Sequence, residues 1–332
     1  LANVTLLSPI IGSGVFMTDV QFSYSDDTQP LLTRKAIQLI EKATGQPLLH
    51  GLYLENQKNP VPGESFWQAS VRQLQVVPSF RADDLKNIPA TGPVVIVANH
   101  PYGVLDGLVM CWLIEKVRKD FLVLTHSVLL RAPEARTNLL PVDFTGTKEA
   151  FQTNLDSREA ARKHLANGGC IVVFPAGAVS TAPDKLGRKP AIDWPWQPFT
   201  AQLIQRSKAT VVPIYFSGQN SRLFQIASHI SPVLRLSLIF KEVHDRIGTE
   251  LPLVIGAPIS PDELAECGDR QALLSFLRDK TYALEQLLEF DTTNVVAFGK
   301  RKSGAPVVQK VKRFMHKLET RRAMRERLRK SA

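Results

Sequence analysis

The chain has 332 residues, 44% of them hydrophobic and 22% charged, the composition of a folded globular protein and not of a disordered or fibrous one. Its longest strongly apolar run, Leu108 to Ile114, falls far short of the roughly 20 residues a membrane-spanning helix needs. The net charge of +10 is confined to one place: residues 301–332 hold twelve Lys and Arg against Glu319 and Glu326, which leaves the remainder balanced. Cys111, Cys170 and Cys267 are odd in number and widely spaced, which argues against a disulfide framework and for a reducing compartment, and none has the company of a metal site. The first residues lack the basic segment of a secretory leader, so none is expected, and the chain starts at Leu1 rather than Met.

In chain order, Pro30 and Thr33 introduce a helix over 34–44 with Ile37, Leu39, Ile40 and Ala43 as its apolar stripe. A Pro/Gly loop spans 58–63, and a helix is predicted over 65–75. The turn at 90–93 leads into Val94, Val95, Ile96 and Val97, a short β-branched run that reads as a buried strand. It stops at Asn99-His100-Pro101, because proline cannot continue a central strand and pushes the preceding residue out of the α region. Tyr102-Gly103 makes a turn, and Asp106 follows where a helical pattern begins. A second strand is predicted over 120–125, a helix-and-loop passage over 129–138, and a short strand over 139–144. An amphipathic helix over 156–166 precedes the apolar strand at 170–174, which ends at Pro175-Ala176-Gly177 with the same punctuation as the first. After a Pro-rich charged loop at 181–198 come a helix at 199–207, a strand at 210–216, helices at 221–227 and 234–246, a last strand at 251–255, and one or two helices over 261–287.

Apolar strands alternating with amphipathic helices predict an α/β fold with a central, mostly parallel sheet covered by helices. A helical region precedes it and a basic helical tail follows. The predicted organisation is a helical region at 1–89, a central domain at 90–260, a helical extension at 261–299 and the tail at 300–332. Ligands in such sheets sit at the carboxyl ends of strands, where both the His100 turn and the Pro175–Gly177 turn fall. His100 and Asp106 bracket a short turn, so the carboxylate can orient the imidazole and leave its other nitrogen as a general base. The competing reading makes Asp106 a helix cap and His100 a turn residue. His126 also follows a strand but has no partner motif. Asp143 reads as a loop stabiliser.

The blocks NHPYGVLDG, LLPVDF and FPAGAVS, in this order and each after an apolar strand, resemble the glycerolipid and lysophospholipid acyltransferase family over residues 90–260. The resemblance extends to its bacterial branch with N-H-P-x-G-x-x-D-G, which includes hemolysin-annotated and amino-acid-lipid acyltransferases. The resemblance implies transfer of a fatty acyl chain from a thioester on acyl carrier protein or coenzyme A to a hydroxyl or amine of a lysolipid. His100 and Asp106 are the implied catalytic pair, with no covalent intermediate. It further implies substrate contacts from Asn99, Pro101, Gly103, Gly107, Arg131, Phe174, Pro175, Gly177 and Ser180; by their residue types Gly177 and Ser180 suit either donors to an oxyanion or a tight strand-to-helix turn. No metal and no bound cofactor are implied. A G-x-S-x-G elbow, the mark of an α/β-hydrolase serine, occurs nowhere. A non-catalytic lipid- or membrane-binding protein of the same fold is the alternative.

Five residues separate His100 from Asp106, as in that branch, against four in the more familiar pattern. Ala176, Val179 and Phe144 stand where a glutamate and two arginines help to hold a glycerol phosphate. A phosphate left unpaired among apolar groups is costly, so a less charged acceptor, such as an amine-bearing or lyso-amino-acid lipid, becomes plausible. Arg131, Arg136, Lys185, Arg188 and Arg222 are the candidate substitute cations. Trp194 and Trp196 suit either a membrane interface or a packed loop. Val307, Val311, Phe314 and Leu318 recur at helical spacing among the basic residues of 301–332. That pattern predicts an amphipathic helix for an anionic membrane surface, on the inner, cytoplasmic face of the cell membrane. Acidic acyl carrier protein is a second fitting partner. No nucleic-acid motif accompanies the charge.

Overall fold

A computed structural model describes Ser23, Ser25 and residues 30–288. The basic tail at 300–332, and the expectations attached to it, lie outside the described residues. The first helices are α1 (Leu31–Ala43), α2 (Gln46–Lys58) and α3 (Phe66–Gln73). Ser65 and Gln68 close a reciprocal capping box at the start of α3, which fixes where that helix begins. The elements that follow are β1 (Val77–Ser79), β2 (Val94–Ala98), α4 (Val104–Ile114), β3 (Phe121–His126), β4 (Leu139–Val142), α5 (Lys148–Ala166) and β5 (Cys170–Val173). The second half adds α6 (Pro198–Ser207), β6 (Thr210–Phe216), α7 (Arg222–Ile230), α8 (Pro232–Ser237), α9 (Ile239–Asp245), β7 (Glu250–Ile255), α10 (Pro261–Ala265) and α11 (Arg270–Ala283).

The seven strands form one sheet in the order β1-β7-β6-β2-β5-β3-β4. The run from β6 to β4 is parallel throughout, β7 is antiparallel to β6, and β1 is parallel to β7. The sheet is therefore mostly parallel and covered by helices, as predicted. The side-chain alternation of strands divides the core in two. Val94, Ile96 and Ala98 of β2 join Cys170, Val172 and Phe174 on the face covered by α3 and α4. Val95 and Val97 join Ile171 and Val173 on the opposite face, under α5, α6 and α11. Helix α4 is buried from Leu108 to Ile114 without a break, because it lies between the sheet and the outer helices α3 and α9.

Several expectations need correction. Leu39 and Ala43 of α1 face solvent, and Ile37 with the polar Glu41 is turned inward instead. Helix α5 begins at Lys148, two turns before the predicted start, on the cap supplied by Thr147. The helix expected over 234–246 is two, meeting at Leu238. Strand β1 and helix α2 were not anticipated. Because β1 joins the sheet through β7 and α11 packs on α6 and β6, the described residues on both sides of 90–260 belong to one packed unit.

Candidate active site

The register pairs Val97 of β2 with Val173 of β5, so the turns that leave these two strands lie side by side at the carboxyl end of the sheet. Asn99 locks the first turn in place. Its amide donates to the carbonyl of Phe216 at 2.8 Å and accepts from the Phe216 N–H at 2.7 Å, extending the β2–β6 pairing past the strand end. Gly103 then takes φ 84° and ψ −100°, a conformation open to glycine. A Cβ there would stand 2.9 Å from the Val179 side chain on the neighbouring turn. This close approach brings the two turns together.

Asp106 lies in the first turn of α4 and is wholly buried. One oxygen accepts from the Tyr102 N–H and the other from the Gly107 N–H, both at 2.9 Å. A carboxylate here also meets the positive end of the helix dipole. Its Oδ1 lies 3.1 Å from His100 Nδ1. The approach is too bent for a hydrogen bond, and Nδ1 has no other partner among the described residues. Catalytic hydrogen bonds are commonly loose in a free enzyme and tighten in the complex. Asp106 is not the cap of α4, whose N-cap residue is Gly103 with no side-chain cap bond; it ties the turn at Tyr102 to the first turn of the helix and faces the imidazole at once. The imidazole itself rests on the Phe174 ring, with centroids 4.1 Å apart and planes 30° apart. The strand alternation that puts Phe174 on the α4 face is what places it there.

The other predicted site residues divide. Pro101, Gly103, Phe174 and Pro175 are buried around the two turns, and Gly107 lies in the first turn of α4. Gly177 and Ser180 are in the second turn, but their donors are engaged by the protein. The Gly177 N–H bonds the Phe174 carbonyl at 3.0 Å, the Ser180 N–H bonds the His100 carbonyl at 2.8 Å, and the Ser180 hydroxyl donates to Asp193 at 2.6 Å. Arg131 reaches the carbonyl of Ser23, Arg136 the carbonyl of Leu130, and Arg222 the carbonyl of Leu186. Phe144 is exposed and lies beside His126, 5.6 Å between ring centroids. Asp143 accepts from the Thr145 N–H, which draws its pKa down and fits a loop role. Trp196 is packed inside while Trp194 is exposed, so the two tryptophans separate. Among the described residues no group of His, Cys, Asp and Glu is gathered that would hold a metal ion.

The profile of a protein family described as Acyltransferase matches residues 53–291. The chain belongs to the acyltransferase family. It is 24% identical over 240 residues to a lyso-glycine lipid O-acyltransferase of Phocaeicola vulgatus, covering 70% of this chain and 82% of that one. A second lyso-glycine lipid O-acyltransferase, from Bacteroides thetaiotaomicron, is 25% identical over 185 residues, 55% of this chain and 63% of that one. Among solved structures, the 1-acyl-sn-glycerophosphate acyltransferase PlsC from Thermotoga maritima aligns with a TM-score of 0.41 and 15% identity, over 77% of this chain and 80% of that one. No described helix of this acyltransferase is long and apolar enough to cross a membrane.

Sequence reasoning missed one carboxylate that touches the His100 turn. Asp193 is 3% exposed. Its Oδ1 accepts from the His100 N–H at 3.1 Å and the Ser180 hydroxyl, and its Oδ2 accepts from the Trp196 indole at 3.0 Å. Burial pushes the Asp193 carboxyl up, against these three donors and the nearby imidazole. The Asp193 N–H and carbonyl are bound in turn by Tyr282 and Arg278 of α11. His100 of this acyltransferase is therefore faced by a carboxylate at its ring and held by another at its backbone.

Proposed function

We propose that this acyltransferase moves a fatty acyl chain from a thioester, carried by acyl carrier protein or coenzyme A, to the hydroxyl oxygen of a lysolipid with a small amino-acid headgroup. The observation that carries the reading is His100, with Nδ1 facing the wholly buried Asp106 and Nε2 without a hydrogen-bond partner among the described residues. With the proton of a neutral imidazole on Nδ1, Nε2 takes the hydroxyl proton as the oxygen attacks the thioester carbonyl. The tetrahedral species collapses, the C–S bond breaks, and the imidazolium returns the proton to the leaving thiolate. Asp106 stabilises the imidazolium between the two steps. The oxygen ester and the glycine headgroup are suggested by the two lyso-glycine lipid relatives. Ala176, Val179 and Phe144 in place of cations and a carboxylate fit an acceptor other than a glycerol phosphate. The reaction is proposed to occur at the inner face of the cell membrane, with the basic residues of 301–332 meeting anionic lipid.

The test is acyl transfer from acyl carrier protein and coenzyme A thioesters to a panel of lysolipids. His100→Ala should lower kcat/KM by about 10²- to 10⁴-fold. Parental activity in that variant would remove the mechanism. Deleting 301–332 should weaken binding to anionic vesicles most at low salt, and unchanged binding would remove the docking role.

A further inference from the structure

Arg235 of α8 lies against the second turn of the site. Its Nη1 donates to Thr181 Oγ1 at 2.8 Å, and its Nη2 donates to the carbonyl of Val179. These residues flank Ser180, whose N–H holds the His100 carbonyl. The guanidinium carbon stands 5.4 Å from the centre of the Phe224 ring. The surroundings are apolar: Phe224, Ala227, Leu238 and Ile239 are buried together, with Val104 and Val179 packed on them. Val104 opens the helix that carries Asp106. Among the described residues no carboxylate forms an ion pair with Arg235, and burial alone lowers its guanidinium to about 10. A half-buried cation in apolar surroundings beside the two turns, with donors to spare and no carboxylate partner among the described residues, favours an anion that completes it.

We propose that Arg235 binds the anionic headgroup of the acceptor lipid, a carboxylate or a phosphate. The inference rests on the proposed function for the existence of a lipid acceptor, and it adds the charge that the acceptor must carry. Glycine joined to a fatty chain through its nitrogen keeps a carboxylate; joined through its carboxyl it keeps an ammonium. A planar guanidinium pairs with the first through parallel hydrogen bonds and repels the second. The headgroup carboxylate therefore faces Arg235 while the acceptor hydroxyl reaches His100.

The experiment is equilibrium binding to the full chain without any acyl donor. The probes are N-dodecanoylglycine, its methyl ester, the dodecyl ester of glycine and dodecyl phosphate, each below its micelle concentration. The acid should bind about 10- to 100-fold more tightly than its methyl ester, and the cationic ester should bind least. Arg235→Met should erase the preference for the acid, while Arg235→Lys should keep part of it. If dodecyl phosphate outcompetes the acid in an Arg235-dependent way, the anion site stands and its ligand is a phosphate. Equal binding of acid and methyl ester to the parent protein, which needs no variant to fold, would overturn the inference. So would a preference that survives Arg235→Met. Should Arg235-dependent anion binding persist while no lysolipid is acylated, the proposed function fails and the site remains. Transfer that ignores the headgroup charge has the opposite consequence.

Discussion

At the amino ends of the strands, Arg118 is 3% exposed and fully engaged. It grips both oxygens of Asp120 at 2.8 and 2.7 Å and donates to the carbonyls of Pro89, Gly92 and Gly168, each just ahead of a strand of the sheet. At the carboxyl ends the charged groups are left with capacity. His100 Nδ1 stands near Asp106 without a formed hydrogen bond, and among the described residues Arg235 meets a carbonyl and a hydroxyl but no carboxylate. Arg118 has all its donors engaged within the protein, while Arg235 does not. A charge whose partners are all internal holds the fold, whereas one with donors to spare has capacity for a ligand.

The comparison breaks most visibly at Arg118. Arg118→Ala leaves three carbonyls and the half-exposed Asp120 without their partner and should cost about 2–3 kcal/mol in denaturant unfolding. Arg118→Lys should recover part of that, and the protein that remains folded should keep its kcat/KM. A loss of activity in fully folded Arg118→Ala would mean that the amino end contributes to the chemistry. The smaller change Asp106→Asn should move both readouts, because Asp106 ties the Tyr102 N–H to the first turn of α4 and faces His100. One oxygen becomes an amide nitrogen that cannot accept from a backbone N–H. The expected losses are about 1 kcal/mol of stability and roughly 10²-fold in kcat/KM. Loss of stability with parental activity would leave Asp106 as a clamp on the turn alone.

The parts legible in the sequence are those whose partners are near in the chain or whose pattern is periodic. The all-apolar run of β2 announces a central strand, and His100 and Asp106 sit on one turn. Strand β1 is three residues long with Pro78 in its middle, an edge strand that no pattern marks. Helix α2 has no buried residue and carries Gly51 in its interior, so its apolar periodicity is weak. Leu39 fitted an apolar stripe, yet only the packing of α1 decides which residue of the helix turns inward. Asp193 meets His100 from 93 positions away, and Arg235 meets Val179 from 56. Their roles arise from tertiary placement, and the one local hint at Asp193 was the pair of tryptophans beside it.

The smallest effects sharpen the comparison through pH. The Arg118 guanidinium holds the Asp120 carboxyl below the usual carboxylate range. That contribution is fully present above the unfolded carboxyl value, near 4, and is lost as pH falls through the lower folded value. Asp193 carries the opposite sign. Burial raises its carboxyl, so its linked contribution is full below the unfolded value and lost as pH rises through the folded one. Asp193→Asn should therefore lie further below the parent in stability at pH about 4 than at pH 7, while Arg118→Ala should show the reverse. At neutral pH Asp193→Asn should lower kcat about 10-fold with little change in KM, because the amide nitrogen cannot accept, and one side chain can no longer serve all three donors, the His100 N–H among them. Trp196→Phe removes only the indole bond to the far oxygen and should cost about 1 kcal/mol with kcat near the parent value. Equal loss of kcat in both variants would make Asp193 a packing residue. A fall confined to Asp193→Asn would mark it as the residue that positions His100.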